Sequence, residues 1–220
     1  MLQEGINTIN SINMKANIET EIIYAITSSI SIEALSKLEM PSLIAISGKM
    51  GTGKDTVYKI LEVIAKMKNQ TIQNNKFAKK LKEIVGVIED TSVKEFENPS
   101  IKHTSSSLIG NTIRDTLIYI GAKIREIDPN YFINDLKNEI YISSRHNINV
   151  ITDLRFKNEL EAVKNEVIWR INRANILTST DISETDLDDY PFKHIIWNNS
   201  SISDLVKDVI NLLIKHNDKI

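Results

Sequence analysis

The chain has 220 residues, a formal net charge of −2 and no cysteine. That length suits one sizeable domain and is too short for two large ones. The near-neutral balance gives no global basic field for nucleic acid, and the lack of cysteine excludes disulfides and cysteine-based metal sites, so the cytoplasm is the natural compartment. No apolar run approaches the roughly 18 residues of a membrane span, and the opening MLQEGINTIN lacks the basic start and apolar core of a secretory signal.

Residues 1 to about 40 carry two short amphipathic patterns. Ile18, Ile22, Ile23, Ile26 and Ile30 fit one helical face, and Ile32, Leu35 and Leu38 form a second pattern that ends before Pro41. Glu33 and Lys37, four apart, can pair on the exposed side. The plain expectation is an appended helical hairpin packed on the core. The sharper alternative is a dimerisation or partner-binding helix, with a homodimer as its consequence.

Leu43-Ile44-Ala45-Ile46 reads as a short strand ending in Ser47. Gly48, Gly51 and Gly53 follow, then Lys54, Asp55 and Thr56; three of the chain's seven glycines fall here. The spacing G-x-x-x-x-G-K is that of a phosphate-binding loop. Glycines let successive backbone N–H groups curl around a phosphate, and the helix behind them points its positive end at the anion. Gly48, Lys49, Met50, Gly51, Thr52 and Gly53 are therefore the expected cradle, and Lys54 the mobile charge that reaches the outer phosphates. The usual next residue is Ser or Thr, holding magnesium; here it is Asp55, with Thr56 one place later. Val57, Ile60, Leu61, Ile64 and Ala65 continue at helical spacing. The plain alternative is an ordinary glycine-rich strand-to-helix turn.

Thr71-Ile72-Gln73 is a weak strand candidate, and Phe77 to Val87 reads as a helix with Phe77, Leu81, Ile84 and Val85 on one side. Lys79, Lys80 and Lys82 make it locally basic, as a solvated face or with a lysine turned to a phosphate. Residues 88 to 110 are polar, with Pro99 and a serine run, and read as a long mobile loop with little structure of its own, of the kind that forms a lid. His103 within it has no partner at metal-ligand spacing. Asn111 to Ile127 is a helix with Ile113, Leu117, Ile120, Ile124 and Ile127 inward. It carries Gly121 mid-helix, which signals close packing or a break. Arg114 and Arg125 on this helix are either surface charges or forks for a phosphate. Asp128-Pro129 stops it, and Tyr131 to Ile142 follows as another helix.

Asn149 to Asp153 is the second strong strand. Asp153 sits at its carboxyl end, where open parallel sheets collect ligands, and can contact magnesium or an acceptor; the plain alternative is a cap on the next helix. Asn158 to Lys164 is helical, Val167 to Ile171 a third strand with Arg173 just past it, residues 174 to 190 an acidic loop, and His194 to Asn198 a fourth strand. Ser203 to Lys215 closes the chain as an amphipathic helix with Leu205, Val209, Leu212 and Leu213 buried.

Strands alternating with helices argue for βαβ units and a mainly parallel sheet. With the phosphate loop on the first strand, the expected fold is α/β, a P-loop kinase-like three-layer sandwich with an extra N-terminal helical segment. Residues 1–40 form the extension and 41–220 the kinase domain. Within it, about 76–147 is the acceptor-binding helical region and about 172–190 a lid-like loop.

Several stretches resemble phage-type deoxynucleoside monophosphate kinases, a branch of the P-loop nucleoside monophosphate kinase-like proteins. SGKMGTGKDT matches that family's Gly-Lys-Asp-Thr ending, and FAKKLKEI looks like its Phe-Ala-x-x-Leu-Lys helix. IGAKIREIDPNYF is similar to its Gly-x-x-x-Arg-x-x-Asp-Pro segment, and ITDLRFKNELEAV to its Asp-x-Arg-Phe-x-Asn-Glu signature. ISETDLDDYPFKHIIWNNSSISDL matches its Ser-Glu, then Asp, then Asn ending. Lys157 stands where proline is common, and Asp181 where histidine often precedes Ile-Ser-Glu.

The resemblance implies transfer of the ATP γ-phosphate to a deoxynucleoside monophosphate, in the cytoplasm, or the host's if the chain is viral. Lys54, Asp153, Arg155 and Arg173 are then the expected catalytic groups, and Arg170 joins the loop on the ATP side. Asp55, Lys82, Arg114, Arg125 and Arg155 face the acceptor, and Mg2+ sits near Asp55, Thr56 and Asp153. A P-loop kinase for another small phosphorylated acceptor, such as phosphomevalonate or dephospho-coenzyme A, is one alternative. A non-catalytic nucleotide-binding protein is the other.

Overall fold

The computed structural model describes residues 17–108, 111–143, 147–176 and 180–218. Residues 1–16 of the N-terminal extension, 109–110 of the serine-rich stretch and 177–179 of the acidic stretch lie outside the described residues.

Helix α1 (17–29) and helix α2 (Ile32–Lys37) lead into strand β1 (Leu43–Ser47), then helix α3 (Lys54–Met67), strand β2 (Thr71–Asn75) and helix α4 (Ala78–Glu89). Two 3-10 segments (Glu95–Glu97, Pro99–His103) precede helix α5 (Ile113–Ile127) and helix α6 (Tyr131–Ser143). Strand β3 (Asn147–Leu154), helix α7 (Lys157–Ala162), strand β4 (Val167–Asn172), helix α8 (Ile182–Thr185), strand β5 (Ile195–Trp197) and helix α9 (Ile202–Asn217) complete the chain.

The five strands form one all-parallel sheet in the order β2-β3-β1-β4-β5. β1 is central, and Leu43 to Ile46 are apolar because both of its faces are covered. Ile44 and Ile46 point to one side and Ala45 to the other, the period-2 alternation of a strand. On the first side they meet Val57, Ile60, Leu61 and Ile64 of α3 and Leu205, Val209 and Leu213 of α9. Ile22 and Ile26 of α1 and Leu35 of α2 belong to this same core. On the second side Ala45 and Ile151 meet Ile133 and Leu136 of α6 and Leu160 of α7. Helices thus cover both faces, as a three-layer α/β sandwich requires.

The helical hairpin of the sequence reading packs on the core, though not with every residue in the pattern. Ile22, Ala25, Ile26, Leu35 and Leu38 are buried, whereas Ile18, Ile23 and Ile32 are exposed. The true buried stripe includes Ala25, which a search for large apolar side chains passes over.

Residues 88–108 differ from expectation more. They fold as two 3-10 segments rather than as a structureless loop, and Phe96 in the first of them is fully buried in a third, outlying cluster with Leu81, Val85, Ile113 and Phe132. One enclosed aromatic ring supplies the order that polar neighbours conceal. Ile127, expected inward, is exposed at the end of α5. Gly121 marks close packing: a Cβ there would stand 3.0 Å from Leu81 on α4. Among the described residues no helix is long and apolar enough to cross a membrane.

Candidate functional site

β1 ends at Ser47, whose register partners are Leu154 in β3 and Arg170 in β4. The two flanking strands therefore deliver Asp153 and Arg155 to one side of the glycine-rich loop and Arg170 to the other. This is the carboxyl end of the sheet, where an α/β fold places its ligands.

The loop is built tightly. A Cβ on Gly48 would lie 2.6 Å from the Ile171 carbonyl oxygen, a backbone atom that cannot swing away. Gly53 takes a left-handed φ of 100° as the N-cap of α3, so that Lys54 opens the helix. The Thr52 hydroxyl donates to the Lys49 carbonyl at 2.9 Å, and the Asn198 amide, just past β5, donates to the Thr52 carbonyl at 2.9 Å. Lys54 is buried and its ammonium donates to the carbonyls of Gly48 and Lys49 at 2.6 and 2.7 Å. Burial, then the nearby Arg155 charge, push its pKa down to about 8. It is a cation folded against its own loop.

Two acidic side chains reach the loop from beyond β4. Asp181 caps α8, its side chain accepting from the Ser183 amide at 2.8 Å. The helix presents Glu184, which accepts from the Met50 amide at 2.7 Å and pairs with Arg155. Asp188 pairs with Lys49 at 2.7 Å and with Arg170 at 3.0 Å. Arg170 is buried under the start of the loop, where it also donates to the Ser47 hydroxyl at 3.0 Å and lies over the Phe192 ring.

On the β3 side, both oxygens of Asp153 accept backbone amides, from Phe77 and Ala78, each at 2.9 Å. The capping role is thus filled, but for α4, which is distant in sequence, and not for the helix that follows Asp153. Each oxygen keeps a further lone pair. Arg125 of α5 lies over the rings of Phe132 and Phe156 at 4.8 and 4.1 Å and stands 3.8 Å from Glu159. Glu159 in turn accepts the amides of Arg155 and Phe156 at 2.9 and 3.1 Å, so it fixes the backbone that carries Arg155.

Arg114 crosses to the loop tip, its guanidinium donating to the Met50 sulfur at 3.4 Å. Asp55 is exposed in the first turn of α3 and Thr56 is half-buried beside it. Among the described residues no group of three or more His, Cys, Asp or Glu is gathered as a metal centre of its own. Lys82 is buried on α4 and, with Asn74, Lys76 and Lys79, lines a cavity of about 250 Å³. Arg173 is exposed beyond β4. The loop, Lys54, Arg155, Arg170 and Arg114 come together.

Glu184, Asp188, Glu159 and Asn198 had no role assigned from the sequence. The Ser-Glu and Asn-Glu pairs in the resembling stretches were the available signal for Glu184 and Glu159. Nothing in local spacing marks Asn198 as a brace for the loop. No protein-family model matches the chain, and no curated protein matches it at a significant level.

Proposed function

We propose that the chain is a P-loop kinase that moves the ATP γ-phosphate to a deoxynucleoside monophosphate. The observation that carries this reading is the meeting of the glycine-rich loop and Lys54 with arginines from both flanking strands, at the carboxyl end of a parallel sheet. Phosphoryl transfer asks for positioning and charge stabilisation more than covalent chemistry. Backbone N–H groups from Lys49 to Thr56 hold the β-phosphate, and Lys54, leaving the Gly48 and Lys49 carbonyls, follows charge onto the γ-phosphate. Arg155 and Arg114 approach the acceptor phosphate, with Arg125 behind them; Arg170 supports the loop from below. The acceptor's phosphate oxygen is already a competent nucleophile at neutral pH, so no general base is required.

Asp55, Thr56 and Asp153 supply oxygen donors only, which suits Mg2+, and the exposed position of Asp55 leaves it able to reach the ion through water. Bound there, the ion would neutralise charge on the phosphates.

An ADP-release assay across the four dNMPs, ribonucleotides, phosphomevalonate and dephospho-coenzyme A tests the assignment. Turnover with dNMPs is expected. Turnover only with a non-nucleotide points to a different acceptor, and none with any acceptor points to a binding module. Lys54→Ala should lower kcat by several orders of magnitude while the circular-dichroism spectrum is unchanged; normal turnover by this variant would sink the assignment.

A further inference from the structure

Glu184 lies at the loop as a phosphate oxygen would. One carboxylate oxygen accepts the Met50 amide at 2.7 Å, and the other pairs with Arg155, which also donates to the Ser183 carbonyl at 3.2 Å. The carboxyl is buried. Burial pushes its pKa up, but the Arg155 charge, the Met50 amide and the Lys54 charge together hold it below its ordinary value, so it is an anion at neutral pH. A loop amide, an arginine fork and a nearby lysine are the donor types that proteins use to hold phosphoryl groups. Four residues on, Asp188 repeats the theme on Lys49 and Arg170.

We infer that Glu184 is an internal stand-in for a phosphate group, so that anion entry at the glycine-rich loop and release of Arg155 are one coupled event. The inference rests on the kinase reading above. A phosphate that takes the Met50 amide would lie beside a like charge, and the carboxylate must leave. It gives up its pair with Arg155 as it goes. The guanidinium then has donors for a second anion, the acceptor. Until the loop is filled, Nη1 of Arg155 is engaged and a loose monophosphate meets only part of the fork. The order of binding follows: triphosphate first, monophosphate second. Were Glu184 only a tie that anchors α8, its removal would lower stability and leave anion affinity unmoved.

The test is calorimetric titration of a non-hydrolysable Mg·ATP analogue into the full chain, for wild type, Glu184→Gln and Glu184→Ala, with no acceptor present. Both variants should bind roughly tenfold tighter or more, the effect of removing one like charge at close range. They should also bind dNMPs, titrated one by one, without the analogue. In wild type alone, adding the analogue should tighten dNMP binding by about tenfold; this arm decides the matter even if a variant fails to fold. Unchanged or weaker analogue binding in folded variants, or wild-type dNMP affinity indifferent to the analogue, overturns the coupling while the kinase reading stands. A folded wild type that binds no triphosphate overturns the kinase reading and the coupling with it.

Discussion

Glu159 is 2 % exposed, with one oxygen accepting two backbone amides and the other 3.8 Å from Arg125. Burial first, then the Asp153 charge, raise its pKa from 4.5 to about 8. The folded chain therefore keeps a proton that the unfolded chain releases above pH 4.5. Between those values the unfolded state binds fewer protons, so stability falls as pH rises, and the loss is complete above about 8. Glu159→Gln removes that slope. In urea melts at pH 5, 6.5 and 8, the stability of wild type relative to the variant should drop by more than about 1 kcal/mol across the range; a constant difference would mean that Glu159 ionises as an ordinary carboxylate. The sequence exposed Lys54 and the loop because their chemistry demands a fixed local spacing. It concealed what Glu184 and Asn198 do, because their partners come from distant parts of the chain, whereas Glu159 takes the amides of Arg155 and Phe156 just before it, a local capping pattern that went unread. Asp153 was legible as a residue at a strand end, but not as the cap of α4.

Among the elements, the outlying helical layer is the one that local pattern described least well. α4 and α5 had a 3.6-residue apolar period and were readable as helices, and of the two readings of Gly121, close packing or a break, the structure has close packing, against Leu81 of α4. The segment between them had no period, since 3-10 turns this short offer none. Its order comes from Phe96, enclosed by Leu81, Val85, Ile113 and Phe132. Phe96→Ala should destabilise the chain by about 3–5 kcal/mol, as emptying a closed aromatic site does. Limited proteolysis should then cut between residues 90 and 108 faster than in wild type, under conditions where the rest of the chain stays folded. Equal cleavage rates would mean that the turns hold without the ring. The buried face of α9 was also misjudged: Val206 and Ile210 are buried while Leu212 is only partly so, because the helix turns more of its surface inward than a narrow stripe predicts.

For the whole molecule, the class was legible: strong apolar strands alternating with amphipathic helices leave little but a parallel sheet with helices on both faces. The strand order was not, since nothing in a single sequence says that β3 and β4, rather than β2, flank β1. Packing of α1 and α2 on the core was expected, but not that the core they join is the one shared by α3 and α9. Their buried side chains, Ile22, Ala25, Ile26, Leu35 and Leu38, include four large ones worth roughly 1.5–3 kcal/mol each. Together these rival the total stability of an ordinary domain, about 5–15 kcal/mol. Deleting residues 1–40 should therefore give a chain without a cooperative thermal transition; a truncated protein that melts as sharply as the full one would show that the hairpin is dispensable.

The central place of β1 has a bearing on how the chain comes to be folded. Both of its neighbours, β3 and β4, come from the second half of the sequence. On the ribosome, this buried strand emerges ahead of both its neighbours and must wait for the roughly hundred residues up to β3 before either edge is paired. Such long-range parallel pairing is slow, and an unpaired apolar strand invites association with other chains. The early helices α1, α2 and α3 can shelter one face of β1 in that interval, since they meet it in the finished core. They make the waiting strand safer, while one of its hydrogen-bonding edges stays open until β3 is made and the other until β4 is.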